Sequence, residues 1–298
     1  MKIIETKALT IEDKLIITEK HLLPQIYSSI NIGKIYISSK TIKNIIYTYT
    51  REAGVRQLKK ILESLCQELN LKKLINPKIK LQITNRLINS VMHHKDKVRN
   101  VVKSNEKYLH GEINGMYANS LGLGGILPIQ VSAHNGDEMI LTGMQGDVMK
   151  ESMSVAKSLA WSYTDDKIKT KLTKNFEKTK TQGIHIHCPE GAVPKDGPSA
   201  GTAISVCLYS LFNDKSIKHN LAITGEITLQ GNVTAIGGLD LKILGGIIAG
   251  VKTFLFPLEN KKDFDLFMNE WKDKSIFNDI TFIPISTFQE ALNHSIVI

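Results

Sequence analysis

The sequence predicts an α+β protein in which a small all-helical region precedes a larger domain of mixed strands and helices. Three observations carry this. Apolar residues recur at helical spacing through the first 72 positions. Beyond Gly111, short β-rich runs replace them. Those runs and the helices between them do not keep the strict β–α–β alternation of a wholly parallel fold. At 298 residues, 42% hydrophobic and 22% charged, the chain is long enough for one large domain or two modest ones.

Taken in order, Thr10 followed by Glu12 and Asp13 reads as the N-cap and acidic first turn of a helix running toward His21, with Pro24 as its stop. Ile35–Ser38 is a short extended piece. Ser39 caps a second helix with Ile42, Ile45, Ile46 and Tyr49 on one face. A third, about Val55 to Leu71, carries the stripe Leu58, Ile61, Leu62, Leu65 and Leu69. Residues 1–72 thus form a helical unit, 73–108 a connector draped over the next domain, and 109–298 the main domain. In the connector, Lys78–Ile83 alternates like an edge strand. In the main domain, Ile126–Val131 and Met139–Thr142 read as strands paired across the turn His134-Asn135-Gly136-Asp137. A long amphipathic helix (147–164), a strand (183–187), a helix (199–212), a hairpin, a helix (239–249), a strand (253–256) and a last strand–helix pair follow.

Composition excludes several classes. No apolar run approaches the roughly 18 residues of a membrane span. Cys66, Cys188 and Cys207 cannot close a disulfide framework and point to a reducing compartment. The polar turn after Met1–Glu5 does not read as a signal peptide, so a cytoplasmic location is expected. The net charge of +9 invites a nucleic-acid reading, but the basic residues are scattered and lack interleaved aromatics, so nucleic acid is not the expected main ligand. His185 and His187 share one strand face near Cys188, yet two ligands on one strand do not close a zinc site, and no metal is expected. Gly245 and Gly250 mimic a phosphate loop, but Val251 stands where the lysine is required.

Two segments carry the chemistry. Pro189 to Gly201 packs three glycines and three prolines into a tight loop that opens directly into an apolar, buried helix. Ser199 stands at that junction, beside free backbone N–H groups and the positive end of the helix dipole. It reads either as a nucleophile with an oxyanion site to hand, or as an ordinary cap. The second segment is Leu239–Val251, a helix apolar nearly all round with Lys242 its one long polar side chain. A desolvated lysine loses its preference for the charged form and can serve as a base. Alternatively it snorkels to solvent. To titrate near neutrality it must fall from about 10.4 to about 7–8, roughly 3–4 kcal/mol.

The motifs Pro194-Lys195-Asp196-Gly197-Pro198-Ser199-Ala200-Gly201, Thr224-Gly225-Glu226-Ile227-Thr228-Leu229-Gln230-Gly231 and Ile236-Gly237-Gly238-Leu239 resemble the proteolytic domain of Lon proteases, and Lys242 follows Ser199 by 43 positions, as in the Lon dyad. Gly146–Ser152 and His185–Gly191 are similar to further Lon segments in the same order, while His21–Pro24 and Tyr49–Arg56 resemble the helical lid of the Lon AAA+ module. The resemblance implies a Lon-type (ribosomal protein S5 domain 2-like) fold behind a small all-α lid. It implies Ser199 as nucleophile, Lys242 as general base and Thr224 as the residue orienting the lysine amine. It also implies Asp196 as a loop residue able to block the site, with Gly197, Pro198 and His187 supporting the cleft. Arg56 resembles the sensor-2 arginine of an ATPase. The chain carries no Walker motifs, so no cofactor is expected in it, and ATP only on a longer protein or a partner ATPase. The expected activity is a serine endopeptidase acting on unfolded or damaged polypeptides through an acyl-enzyme, assembled as a homohexameric ring. A noncatalytic assembly or DNA-binding module, or a fragment dependent on a separate ATPase, are the alternatives. Gln130, Asp240 and Thr202 depart from the residues Lon proteins usually carry there.

Overall fold

The computed structural model describes residues 9, 11–50, 52, 54–94, 110–119, 122–179, 183–189, 195–271, 277 and 279–297. They fall into two compact units, residues 1–99 with 120–123, and 100–119 with 124–298.

The first unit is helical. The expected cap Thr10 lies outside the described residues. Helix α1 (Ile11–Ile17) passes through a π turn (Thr18–Leu22) straight into α2 (Leu23–Ser29). Pro24 therefore does not stop the helix. The turn shifts the hydrogen bonding by one residue, Leu23 N–H reaching Thr18 O, and Pro24 enters α2 in its first two positions, where its missing N–H costs nothing. Helix α3 (Ser39–Tyr49) is capped one residue earlier than expected, by the Ser38 hydroxyl accepting from Thr41 N at 3.1 Å. Helix α4 (Arg56–Ile75) runs a turn beyond its expected end. Its first-turn N–H groups at Gln57 and Leu58 donate to the Glu52 carboxylate at 2.7 and 2.8 Å.

The segment after residue 72 corrects the connector reading. Its first residues close α4, and Gln82 makes a single parallel bridge with Tyr36 in place of an edge strand. Thr84 caps α5 (Asn85–Val91), and Ile83, Leu87, Ile88 and Met92 enter the core built by Ile42, Ile45, Leu58, Ile61, Leu62 and Leu65. These apolar residues bury against the helical unit because it leaves them a hydrophobic face to fill. The remainder of the expected connector, 95–108, lies outside the described residues.

The second unit is a seven-stranded mixed sheet with helices on both faces. Its strands are β1 (Glu112–Ala118), β2 (Gly124–His134), β3 (Met139–Thr142), β4 (Gly183–His187), β5 (Leu221–Ile223), β8 (Thr253–Pro257) and β9 (Thr281–Ile285). The short pair β6 (Glu226–Ile227) and β7 (Val233–Thr234) forms the expected hairpin beside it. The sheet order is β3-β4-β2-β1-β5-β8-β9. Thus β2 and β3 do not pair across their turn. Strand β4 inserts between them, antiparallel to β2 and parallel to β3. Helices α6 (Asp147–Ser162), α7 (Asp166–Thr179), α8 (Gly201–Asn213) and α11 (Phe288–Ser295) go with one hydrophobic core, α9 (Leu239–Ala249) and α10 (Lys261–Trp271) with another. The strands feed both by alternation: Leu221, Ile223 and Leu255 point to the first, Ala222, Phe254 and Phe256 to the second. Among the described residues, no helix is long and apolar enough to cross a membrane.

Candidate active site

Three elements converge on Ser199. The stretch Pro198–Ala200 forms one 3₁₀ turn that continues into α8, whose residues are almost all buried, so the serine is held at the mouth of a fixed helix. Gly197 reaches this turn at φ +106°, a conformation that favours glycine. The Ser199 carbonyl then accepts two hydrogen bonds, from Gly225 N at 2.8 Å and from the Thr224 hydroxyl at 3.1 Å.

Lys242 arrives from the opposite face of the sheet on α9. That helix lies against β2 with no side chain between them, since a Cβ at Gly245 would overlap the Gly124 backbone and one at Gly124 would overlap Leu241. Lys242 is 3% exposed and does not snorkel. Its amine donates to Thr224 Oγ1 at 3.2 Å. Burial pushes the ammonium down to about 8. Thr224 is fully buried and its own proton is committed to the Ser199 carbonyl, so its oxygen meets the lysine as an acceptor. One amine hydrogen is thereby fixed, and the lone pair of the neutral amine must lie elsewhere. Lys242, Thr224 and Ser199 form one hydrogen-bonded chain. Among the described residues, no hydrogen bond joins the Ser199 hydroxyl to the Lys242 amine directly.

Among the described residues, Asp196 makes no ion pair or hydrogen bond with Lys242. Its Oδ1 accepts from Met149 N at 3.0 Å and Gly197 N at 2.9 Å. Helix α6 begins at Gly146, which has no side chain to cap it, and Asp196 supplies that cap from 47 positions away. Ser152 of α6 also donates to Pro198 O at 3.4 Å. Helix α6 therefore holds the loop on either side of Gly197. Most of the upstream loop, residues 190–194, lies outside the described residues.

The other expected site residues sit apart. His187 Nδ1 and His185 Nε2 both bond the Thr142 hydroxyl, at 2.7 and 2.8 Å. No hydrogen bond connects His187 to Ser199 or Lys242 among the described residues. Arg56 is exposed at the start of α4 in the helical unit, and its neighbours Arg51 and Ala53 lie outside the described residues. Cys66, Cys188 and Cys207 are free and buried, and burial raises each thiol, Cys66 to about 12, which makes them inert packing groups. Thr202, where an apolar residue is usual, is fully buried and donates to Gly225 O at 2.9 Å. Its backbone N–H bonds the same oxygen at 3.0 Å. The strand end that holds Thr224 is thus pinned to the first turn of α8. This contact, like the capping by Asp196 and Glu52, was not read from the sequence. Only the appearance of a hydroxyl inside an apolar run hinted at it.

Comparison with known proteins accords with this geometry. Residues 82–298 match the Lon protease (S16) C-terminal proteolytic domain, and residues 28–82 match the Lon protease AAA+ ATPase lid domain. The Lon protease of Campylobacter jejuni is 36% identical over 308 aligned residues, covering all of this chain and 38% of that protein. That of Clostridium acetobutylicum is 35% identical over 301, covering all of this chain and 37% of that protein. The Haemophilus influenzae protein is 36% identical over 299, covering 99% of this chain and 36% of its own length. The chain thus spans a little over a third of these relatives. With a helical unit in the lid position and a proteolytic domain behind it, the chain belongs to the Lon protease family.

Proposed function

We propose that this chain is a serine endopeptidase in which Ser199 is the nucleophile, Lys242 the general base and Thr224 the residue that aims the amine. The observation that carries the reading is the buried Lys242, lowered to about 8 and hydrogen-bonded through Thr224 to the backbone of Ser199. At about pH 8 roughly half of such a lysine is neutral, where an exposed one would be almost wholly charged. The Ser199 oxygen attacks the scissile carbonyl carbon as its proton passes to the Lys242 lone pair. The resulting oxyanion is met by backbone N–H groups of the 3₁₀ turn that carries Ser199, because the Gly201 and Thr202 N–H groups beyond it already bond Pro198 O and Gly225 O. Collapse breaks the C–N bond, the lysine ammonium protonates the departing amine, and an acyl ester remains on Ser199. Water, deprotonated by the neutral lysine, then releases the acid and regenerates the serine.

Catalysis then requires the Ser199 hydroxyl to come within hydrogen-bond reach of the Lys242 amine, to which it is not bonded here. Ser199→Ala and Lys242→Gln are expected to abolish cleavage of casein or a peptide substrate, with the circular dichroism spectrum unchanged. Undiminished turnover in either variant would refute the dyad. Reaction of Ser199 with a fluorophosphonate separates an enzyme from a noncatalytic assembly or DNA-binding module.

The substrates we infer are unfolded or damaged polypeptides, in a reducing cytoplasm that suits three free, buried thiols. A second reading concerns ATP. The lid match over 28–82, in a chain spanning 38% of its Campylobacter relative, favours dependence on an ATPase module supplied by a longer protein or a partner, within a homohexameric ring. Arg56 would then report on nucleotide bound to that module. Cleavage that ATP stimulates only when such an ATPase is added supports this, and a monomer by native mass measurement counts against the ring.

A further inference from the structure

The second unit contains a cavity of about 630 Å³ that the dyad does not use. It falls within the range of about 300–1,000 Å³ typical of small-molecule sites. Its apolar walls are Met139, Trp161, Phe176, Ile184 and Phe212. They come from five elements: β3, α6, α7, β4 and the end of α8. Met139 and Ile184 are register partners on adjacent strands, and Trp161 meets Phe212 edge to face at 5.6 Å. These walls are fixed. Helix α7 is different. It buries no residue, and Ile168, Leu172 and Phe176, spaced four apart along it, are only half-buried. That helix closes one side of the cavity with an apolar face that the protein itself does not fully cover.

Two opposite charges line the same space. Lys157 and Asp137 border the cavity, and neither forms an ion pair among the described residues. The hydroxyls of Ser154 and Ser158 are spent on the helix carbonyls of Lys150 and Ser154. The polar chemistry left at this apolar cavity is therefore the half-buried Lys157 ammonium, the exposed Asp137 carboxylate and the Thr173 hydroxyl at its edge. A simple anion would meet the Asp137 carboxylate and a simple cation the Lys157 ammonium, and like charges brought together are penalised. A molecule with an apolar body and both charges satisfies each group.

We propose that this cavity is a binding site for short apolar peptides with free termini, the carboxylate paired with Lys157, the ammonium with Asp137, and the side chains lodged among Trp161, Phe176 and Phe212. The cavity is separate from the Ser199–Lys242 dyad, so binding is measured on protein that cannot turn over. In a Ser199→Ala, Trp271→Phe background, Trp161 is the only tryptophan and reports from the cavity wall. Titration with Leu-Phe is expected to give a saturable change in its emission. N-acetyl-Leu-Phe-amide, which lacks both charges, should bind about tenfold more weakly or worse, and Lys157→Met should cost Leu-Phe about tenfold, the scale of one charged hydrogen bond. Isothermal titration calorimetry reads the same affinities without relying on emission. No saturable binding by either method, equal affinity for the blocked peptide, or an unaffected Lys157→Met variant would each overturn the proposal. So would emission that shifts with protein concentration alone, which assigns the cavity to a second copy of this chain.

Discussion

Replacing Lys242 by Met should kill activity and, near neutral pH, stabilise the fold. The lysine amine loses its proton at about 8 when folded, against 10.5 in its ordinary state. Below the folded value the side chain is charged in both states, and the folded protein carries the full burden of a charge held at 3% exposure. That burden is about 3 kcal/mol. Between about 8 and 10.5 the unfolded chain binds the extra proton, so raising the pH through this window stabilises the folded state, and above it the burden is gone. Methionine fills similar space without a charge. It forgoes the 3.2 Å hydrogen bond to Thr224, worth about 1 kcal/mol. The variant should therefore be about 2 kcal/mol more stable than the parent near pH 7 and about 1 kcal/mol less stable near pH 10.5. Urea unfolding of both proteins, followed by circular dichroism across this range, gives the difference at each pH and cancels titrations common to both. A difference that stays constant with pH would refute the buried, proton-shedding lysine, and with it the base assigned to the dyad.

The same lysine predicts that kcat/KM rises with pH through an ascending limb near 8; a flat profile from pH 6 to 9 counts against a neutral-amine base. Thr224→Val removes the acceptor that aims the amine and should lower kcat by about 10–100-fold with KM little changed, while the Gly225 N–H still holds the Ser199 carbonyl; a kcat equal to the parent's would show that Thr224 only packs. Asp196→Ala uncaps α6 and should cost about 1 kcal/mol, seen as a lowered Tm, with Asn, which can still accept, recovering most of it. Gly245→Ala forces a methyl into the Gly124 backbone and should destabilise by about 1–3 kcal/mol in urea unfolding, whereas Gly237→Ala, where a Cβ meets nothing, should not through packing.

Much of this molecule is legible residue by residue. The stripe Leu58, Ile61, Leu62, Leu65 and Leu69 foretold a helix, and every member is buried. Strand 183–187 and helix 239–249 have the bounds their patterns suggested. The apolar residues around helix 239–249 left Lys242 either buried or snorkelling, and the structure buries it. The misreadings share a cause. The turn at His134–Asp137 looks like a hairpin turn, yet β4 displaced β3 from β2, and nothing local records which distant strand wins an edge. Pro24 looked like a stop, and one π turn absorbed it. The segment after residue 72 looked polar and loose, and its few apolar residues found the helical core.

From its residues alone, this chain declared most of its helices (α5, α7 and α10 went unread), its family motifs and the two side chains proposed to do its chemistry, because burial period, turn residues and motif spacing are written locally. Tertiary structure decided how those side chains meet. Thr224 lies between Lys242 and Ser199 because β5 ends there, parallel to β8, and Gly124 and Gly245 let α9 settle onto β2. Asp196 caps a helix 47 positions away because α6 begins with a glycine and needs an acceptor. Such bonds join groups that only packing brings within about 3 Å, and a hydrogen bond's energy depends on that distance and not on separation along the chain.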